Sequence, residues 1–135
     1  DEAQYMERYP GDAWVDILGL DAYHGGSADE FIARLDRTLG IMAALSQRLG
    51  KPCVLSETGR ESLPEADWWT GVLLRGIGSH RPAHALVWRN ALQTVRPGHF
   101  YAPFPGQISA DDFVRFHALP QTLFATDMAH ITSLK

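Results

Sequence analysis

The sequence predicts an α/β fold with a parallel sheet, and three observations carry that expectation. Short apolar runs alternate with longer stretches of helical period. The helical stretches carry their own start and stop residues. The strands, each followed by a helix, are too few to make a finished object. In chain order, Asp1 to Tyr9 reads as the end of a helix and Val15 to Leu20 as the first strand. The first long helix opens on Ser27 and Glu30 as a capping box. It carries Phe31, Leu35, Leu39, Met42, Leu45 and Leu49 at three- and four-residue steps, and stops at Gly50 and Pro52. Cys53 to Leu55 is the second strand. The second helix starts around Ser62, Pro64 and Glu65, buries Trp69, Leu73 and Ile77, and ends before Pro82. Ala85 to Trp88 is the third strand. After a long loop, a last helix starts near Ser109, with Asp112 three residues on and Phe113, Phe116 and Leu119 inward.

Three parallel strands leave open edges, and such sheets are normally covered on both faces. A (β/α)8 barrel takes about 250 residues, so the 135 residues here amount to about half of one. A smaller doubly wound domain, complete in itself, is the alternative architecture. No internal repeat and no second-domain linker is visible.

Composition narrows the partners. With 45% hydrophobic and 21% charged residues the chain has a globular balance. A formal net charge of -4 with scattered Lys and Arg argues against nucleic acid and anionic membranes, since phosphate binding needs clustered cations. An uncharged substrate is compatible. No run approaches the roughly 18 to 20 apolar residues that span a bilayer, and the first residues lack the basic and apolar regions of a signal peptide. Cys53, in an apolar run, reads as a buried free thiol.

Functional groups of a parallel α/β fold gather where strands end. Here the exits are Leu20-Asp21-Ala22-Tyr23-His24, Ser56-Glu57-Thr58-Gly59-Arg60 and Trp88-Arg89-Asn90. Glu57 stands where a nucleophile would project into the mouth of a barrel. The same position suits a turn cap or an ion-pair partner of Arg60 or Arg89. An indole at Trp88 offers an apolar face to a sugar ring, with Arg89 and Asn90 as donors beside it, or else fills the core. Tyr23 suits either a hydrogen bond to Glu57 or the barrel wall, and Asp21 either a sugar hydroxyl or a turn. The loop His99 to Gly106 packs three aromatics between prolines into a stiff ridge; packing on the rim suits it as well as sugar stacking, and it is left out of the site. Trp69 is read as core and Trp68 as core or a distal subsite wall. His80 and His84 are separated by Pro82, and no HExxH, Cys-rich, GxSxG, P-loop or GxGxxG pattern occurs, so no metal or cofactor is expected. His24, His99, His117 and His130 read as solvated or satisfied structural groups.

Taken together, Tyr9-Pro10-Gly11-Asp12, Val15 through Tyr23, Ser56-Glu57-Thr58-Gly59 and Val87-Trp88-Arg89-Asn90-Ala91 resemble glycoside hydrolase family 26. His99 to Gly106 and Thr122 to Asp127 are similar to the last loop and closing segment of those enzymes. The resemblance implies a (β/α)8 barrel of which residues 1–135 are the C-terminal half, about strands six to eight, with the N-terminal half outside the sequence. It implies a retaining glycosidase, foremost a β-1,4-mannanase, with a β-glucanase, a xylanase or a non-catalytic sugar-binding barrel as alternatives. Residue by residue, Glu57 matches the nucleophile, Tyr23 the tyrosine that contacts it, and Trp88 the tryptophan lining the subsite at the cleaved bond. Arg89 and Asp21 match residues near that subsite, and Asn90 is grouped with them as substrate-binding.

The family's acid/base glutamate has no counterpart in this chain. A retaining mechanism needs two carboxyl groups about 5 Å apart, and Glu61 and Glu65 follow the same strand as Glu57. The segment alone is therefore expected to be inactive, its partners being a β-mannan or related polysaccharide and the rest of the barrel. A secreted or periplasmic location is expected from the polymeric substrate.

Overall fold

The computed structural model describes residues 1–132, in the order α1 (Glu2–Met6), β1 (Leu18–Tyr23), α2 (Ala28–Leu49), β2 (Cys53–Gly59), a π-helical segment (Trp68–Leu73) continuing into α3 (Leu74–Ile77), β3 (Ala85–Val87), α4 (Ala110–His117) and α5 (Ala125–Thr132). The three strands are parallel in the order β1-β2-β3.

α2 forms as its sequence dictates. The Ser27 hydroxyl accepts from the Glu30 N–H while the Glu30 carboxylate accepts from Ser27, and Gly50 closes the helix at φ 63°, a left-handed conformation that suits glycine. Phe31, Leu35, Leu39, Met42 and Leu45, one stripe of the helix, are all buried. Phe31, Leu35 and Leu39 join Leu55, Leu63, Trp68, Trp69, Val72 and Leu73 in the main core, while Met42 and Leu45 meet Leu18 and Cys53 in a second cluster. Cys53 is a buried free thiol, as expected.

Several boundaries depart from the sequence reading. β1 starts at Leu18, not Val15, because the ladder begins with the Leu18 N–H donating to the Pro52 carbonyl, while the Lys51 ammonium holds the carbonyls of Asp12 and Val15 in a turn before it. It then runs on to Tyr23, so Asp21 and Tyr23 lie in the strand; β2 likewise contains Glu57. The second helix does not start at Ser62. Ser62 and Leu63 have φ of 65° and 43°, outside helical space, and Leu63 turns fully into the core. Helical winding begins only at Trp68, and as a π segment.

α4, the last helix expected from the sequence, begins where expected, but its cap does not form and α5 follows it. Ser109 makes no side-chain cap bond to α4; its hydroxyl bonds Gln107 and accepts from the Trp69 indole N–H. Asp112, fully buried, reaches across to the π segment and accepts from the N–H groups of Trp69 and Thr70 and from the Thr70 hydroxyl. A helix start leaves N–H groups unpaired, and here a carboxylate from another helix satisfies them.

β2 carries a bulge seen from both neighbours. Leu20 and Ala22 of β1 pair with Leu55 and Thr58, and Ala85 and Val87 of β3 pair with the same two residues. Two residues of β2, Ser56 and Glu57, thus oppose one on each side, shifting the in-out alternation by one residue.

Candidate functional site

The bulge decides which way Glu57 faces. Leu55 and Thr58 are both fully buried although three residues apart, so Ser56 and Glu57 both escape the helix-covered face. Thr58 takes the inward place, its hydroxyl donating to the Ala22 carbonyl at 2.8 Å. On the other face, the Tyr23 hydroxyl of β1 donates to Glu57 Oε2 at 2.9 Å. Burial first, then the hydrogen bond to Glu57, pushes the Tyr23 pKa up to about 12, so the phenol remains a proton donor at neutral pH.

The neighbouring groups are largely committed to one another. Ser56 donates to Asp21 Oδ1 at 2.8 Å, leaving Asp21 exposed on the strand beside Glu57. Arg60 pairs with Glu65 at 3.3 Å and donates to the His24 carbonyl, and Glu61 pairs with His99 at 2.6 Å. Among the described residues no ion pair joins Glu57 to Arg60 or Arg89. Just past the end of β3, the Trp88 N–H still bonds the Thr58 carbonyl at 3.0 Å, placing the half-buried indole next to the Glu57 strand, with the exposed Arg89 guanidinium 5.9 Å from the ring centroid.

Asn90 is turned elsewhere. Its side-chain oxygen accepts from the N–H groups of Tyr101 and Ala102, and its amide donates to the Ala102 carbonyl. The side chain ties the β3 exit to the aromatic ridge, and these bonds leave it engaged with backbone rather than turned to a ligand. The ridge therefore belongs near the site. Tyr101 is buried, packs edge-on to Tyr23 with centroids 5.7 Å apart, and contacts the His99 ring at 5.3 Å. Sequence reasoning left Tyr101 out because a proline-flanked run of aromatics shows stiffness but not the direction of its rings.

Other expectations resolve into structure. Trp68 is fully buried and donates to His24 Nδ1 at 3.1 Å, so it is core and not a subsite wall. His24, stacked on Phe31, has its pKa lowered by burial and by Arg60. The ring is neutral, with its proton on Nε2. His117 lies against Phe124, and the side chain of His130 lies outside the described residues. No group of three His, Cys, Asp or Glu residues is arranged to hold a metal, and no helix is long and apolar enough to cross a membrane, among the described residues.

Comparison with known proteins fits this geometry. The family model described as Glycosyl hydrolase family 26 matches residues 1–54. A mannan endo-1,4-beta-mannosidase of Bifidobacterium adolescentis is 39% identical over 64 residues, covering 44% of this chain and 6% of that protein. The structure of a beta-mannanase of the same family from Bacteroides ovatus superposes with a TM-score of 0.87 at 44% identity, covering 93% of this chain and 36% of that one. A modular endo-beta-1,4-mannanase from Cellulomonas fimi gives 0.76 at 31% identity, covering 93% and 29%. The chain thus has the fold of part of a (β/α)8 barrel and spans about a third of the length of these solved relatives.

Proposed function

We propose, from the premise that this chain belongs to glycosyl hydrolase family 26, that it supplies the nucleophile side of a retaining β-mannanase site. The observation that carries the reading is the Tyr23–Glu57 hydrogen bond on the open face of β1 and β2, with the Trp88 indole at the exit of the next strand. Glu57 attacks the anomeric carbon and is held as an ester, while the donated Tyr23 proton fixes the carboxylate's orientation. Trp88 supports the sugar ring, and Asp21 and Arg89 bind its hydroxyls from either side. Mannan is favoured as substrate because the similar proteins named above are mannanases.

The acid/base carboxyl lies outside this chain in the same reading. Asp21 is bonded to Ser56, Glu61 to His99 and Glu65 to Arg60, and all stand on or beside the strands that carry Glu57 and Tyr23. A group that protonates the leaving oxygen has to face Glu57 across the substrate. Residues 1–135 are accordingly the C-terminal half of one catalytic domain. The exposed Trp14, Ile17 and Leu86 support this, being apolar surface that further elements of a barrel would cover. A polymeric substrate places the enzyme outside the cytoplasm, secreted or periplasmic.

The test is Glu57→Ala in the complete enzyme, assayed on mannan, glucan and xylan. A loss of at least about three orders of magnitude is expected, as for removal of a covalent nucleophile, and retained hydrolysis would sink the assignment. Activity on glucan or xylan instead of mannan would move the substrate and leave the nucleophile standing.

A further inference from the structure

The ridge from Gly98 to Ala102 is tied down more heavily than a surface loop requires. Asn90 accepts from the N–H groups of Tyr101 and Ala102. From the loop after β2, the Ser62 N–H donates to the Phe100 carbonyl at 2.8 Å, the Ser62 hydroxyl bonds the Gly98 carbonyl, and Glu61 bonds the His99 ring. The ridge is therefore clamped between the exits of β2 and β3. Its one buried ring, Tyr101, packs edge-on against the Tyr23 ring and against the backbone of Gly59, with the His99 ring of the same ridge also against it. A Cβ at Gly59 would lie 2.5 Å from the Tyr101 ring, far inside van der Waals contact, so the glycine two residues beyond Glu57 is what allows the approach. Tyr23 in turn holds Glu57 through a single rotatable phenol.

We infer that Tyr101 is a positioning residue: clamped by Asn90, Glu61 and Ser62, its ring closes off the space into which Tyr23 would swing and so fixes the hydroxyl that orients Glu57. This rests on the reading of Glu57 as nucleophile. An edge-to-face contact contributes enough to account for roughly a 2- to 10-fold effect on a step that depends on the ring's placement. The function requires the ring and not the Tyr101 hydroxyl, whereas a sugar-binding role would require the hydroxyl or an open ring face.

The experiment compares Tyr101→Leu, Tyr101→Phe and Asn90→Ala in the complete enzyme, with mannohexaose as substrate and thermal denaturation as a folding control. Tyr101→Leu is expected to lower kcat roughly 2- to 10-fold without raising KM, and Tyr101→Phe to restore most of it. Asn90→Ala, which frees the ridge without entering the core, should reproduce part of the loss even if Tyr101→Leu fails to fold. In a Tyr23→Ala background, Tyr101→Leu should cost nothing further, because the group it acts through is gone. A loss that appears as a raised KM, that Phe does not restore, or that adds fully to Tyr23→Ala overturns the inference. Glu57→Ala run alongside separates the two failures. If that variant stays active, the nucleophile assignment falls; if it is dead while the Tyr101 effects are additive, only the positioning role falls.

Discussion

Tyr23→Phe removes one hydroxyl and keeps the ring that packs against Tyr101, so its effect isolates the 2.9 Å bond to Glu57. A hydrogen bond to a charged acceptor is worth about 1.5–3 kcal/mol, and at 1.36 kcal/mol per decade of rate this corresponds to roughly 10- to 150-fold. Where that factor falls follows from the charge on Glu57. In the proposed mechanism the Glu57 carboxylate starts glycosylation as an anion and becomes a neutral ester, so losing the bond removes orientation but also removes stabilisation of the reactant, and the two partly cancel. In deglycosylation the carboxylate is expelled and regains its charge, and the Tyr23 proton stabilises it as it leaves. The variant should therefore break down its covalent intermediate slowly. With an activated aryl β-mannoside, kcat is expected to fall within that range and KM to fall with it. A stoichiometric burst of phenol should precede steady state, and intact mass measurement should find the glycosyl adduct. A fall in kcat at constant KM without a burst or adduct would refute the assignment of the bond to the leaving step, and no change would refute its importance altogether.

Two further predictions concern the frame. Asp112→Ala removes a fully buried carboxylate that serves two N–H groups and a hydroxyl at the start of the π segment; a loss of about 2–4 kcal/mol is expected in chemical denaturation, with Asp112→Asn recovering part because its amide oxygen still accepts. Alkaline stability provides the other. The Tyr23 pKa is raised to about 12 from an ordinary 10, so above pH 10 the unfolded chain releases a proton that the folded chain retains. That favours unfolding progressively from pH 10 to 12, and Tyr23→Phe should show a shallower fall in urea midpoint over that window than the parent protein.

The parts of the fold legible in the sequence were those governed by local rules. α2 has a periodic stripe, a capping box and a C-terminal glycine within one continuous segment, and all three appear where the residues place them. The strands were found but their ends were missed by up to four residues; β1, for one, is bounded by pairing with Pro52 and by the reach of Lys51, both distant in sequence. The second helix misled for a related reason. Ser62, Pro64 and Glu65 spell a helix start, yet Leu63 is drawn into the core and Glu65 to Arg60, so tertiary contacts override the local signal. In the candidate site, Tyr23 and Glu57 were legible as strand-exit residues. Tyr101 was not, since its place depends on the clamp by Asn90 and on the missing side chain of Gly59. Asp112 was read as part of a cap for its own helix, whereas it caps a neighbour that lies close only in the folded chain.

The bulge in β2 reconciles an apolar sheet with a carboxylate in its middle. Strict alternation from Cys53 and Leu55 would turn Glu57 to the same side, toward Phe31, Leu35 and Trp68 in the main core. Burying an unpaired carboxylate there would cost several kcal/mol and force it to take up a proton, which no nucleophile at neutral pH tolerates. Inserting one residue lets Thr58 fill the inward place, where its hydroxyl finds the Ala22 carbonyl, and turns Glu57 to the face where Tyr23 waits. The cost is local, because the ladder to β1 resumes at Glu57 and the ladder to β3 at Thr58. Nothing in the sequence of β2 taken alone distinguishes Ser56-Glu57 as a bulge, since the extra residue is defined only against Asp21 on one side and Leu86 on the other. The orientation of Glu57, the proposed nucleophile, is thus a property of three strands together, and a change of register on either neighbour would turn its carboxylate away from Tyr23 without touching Glu57 itself.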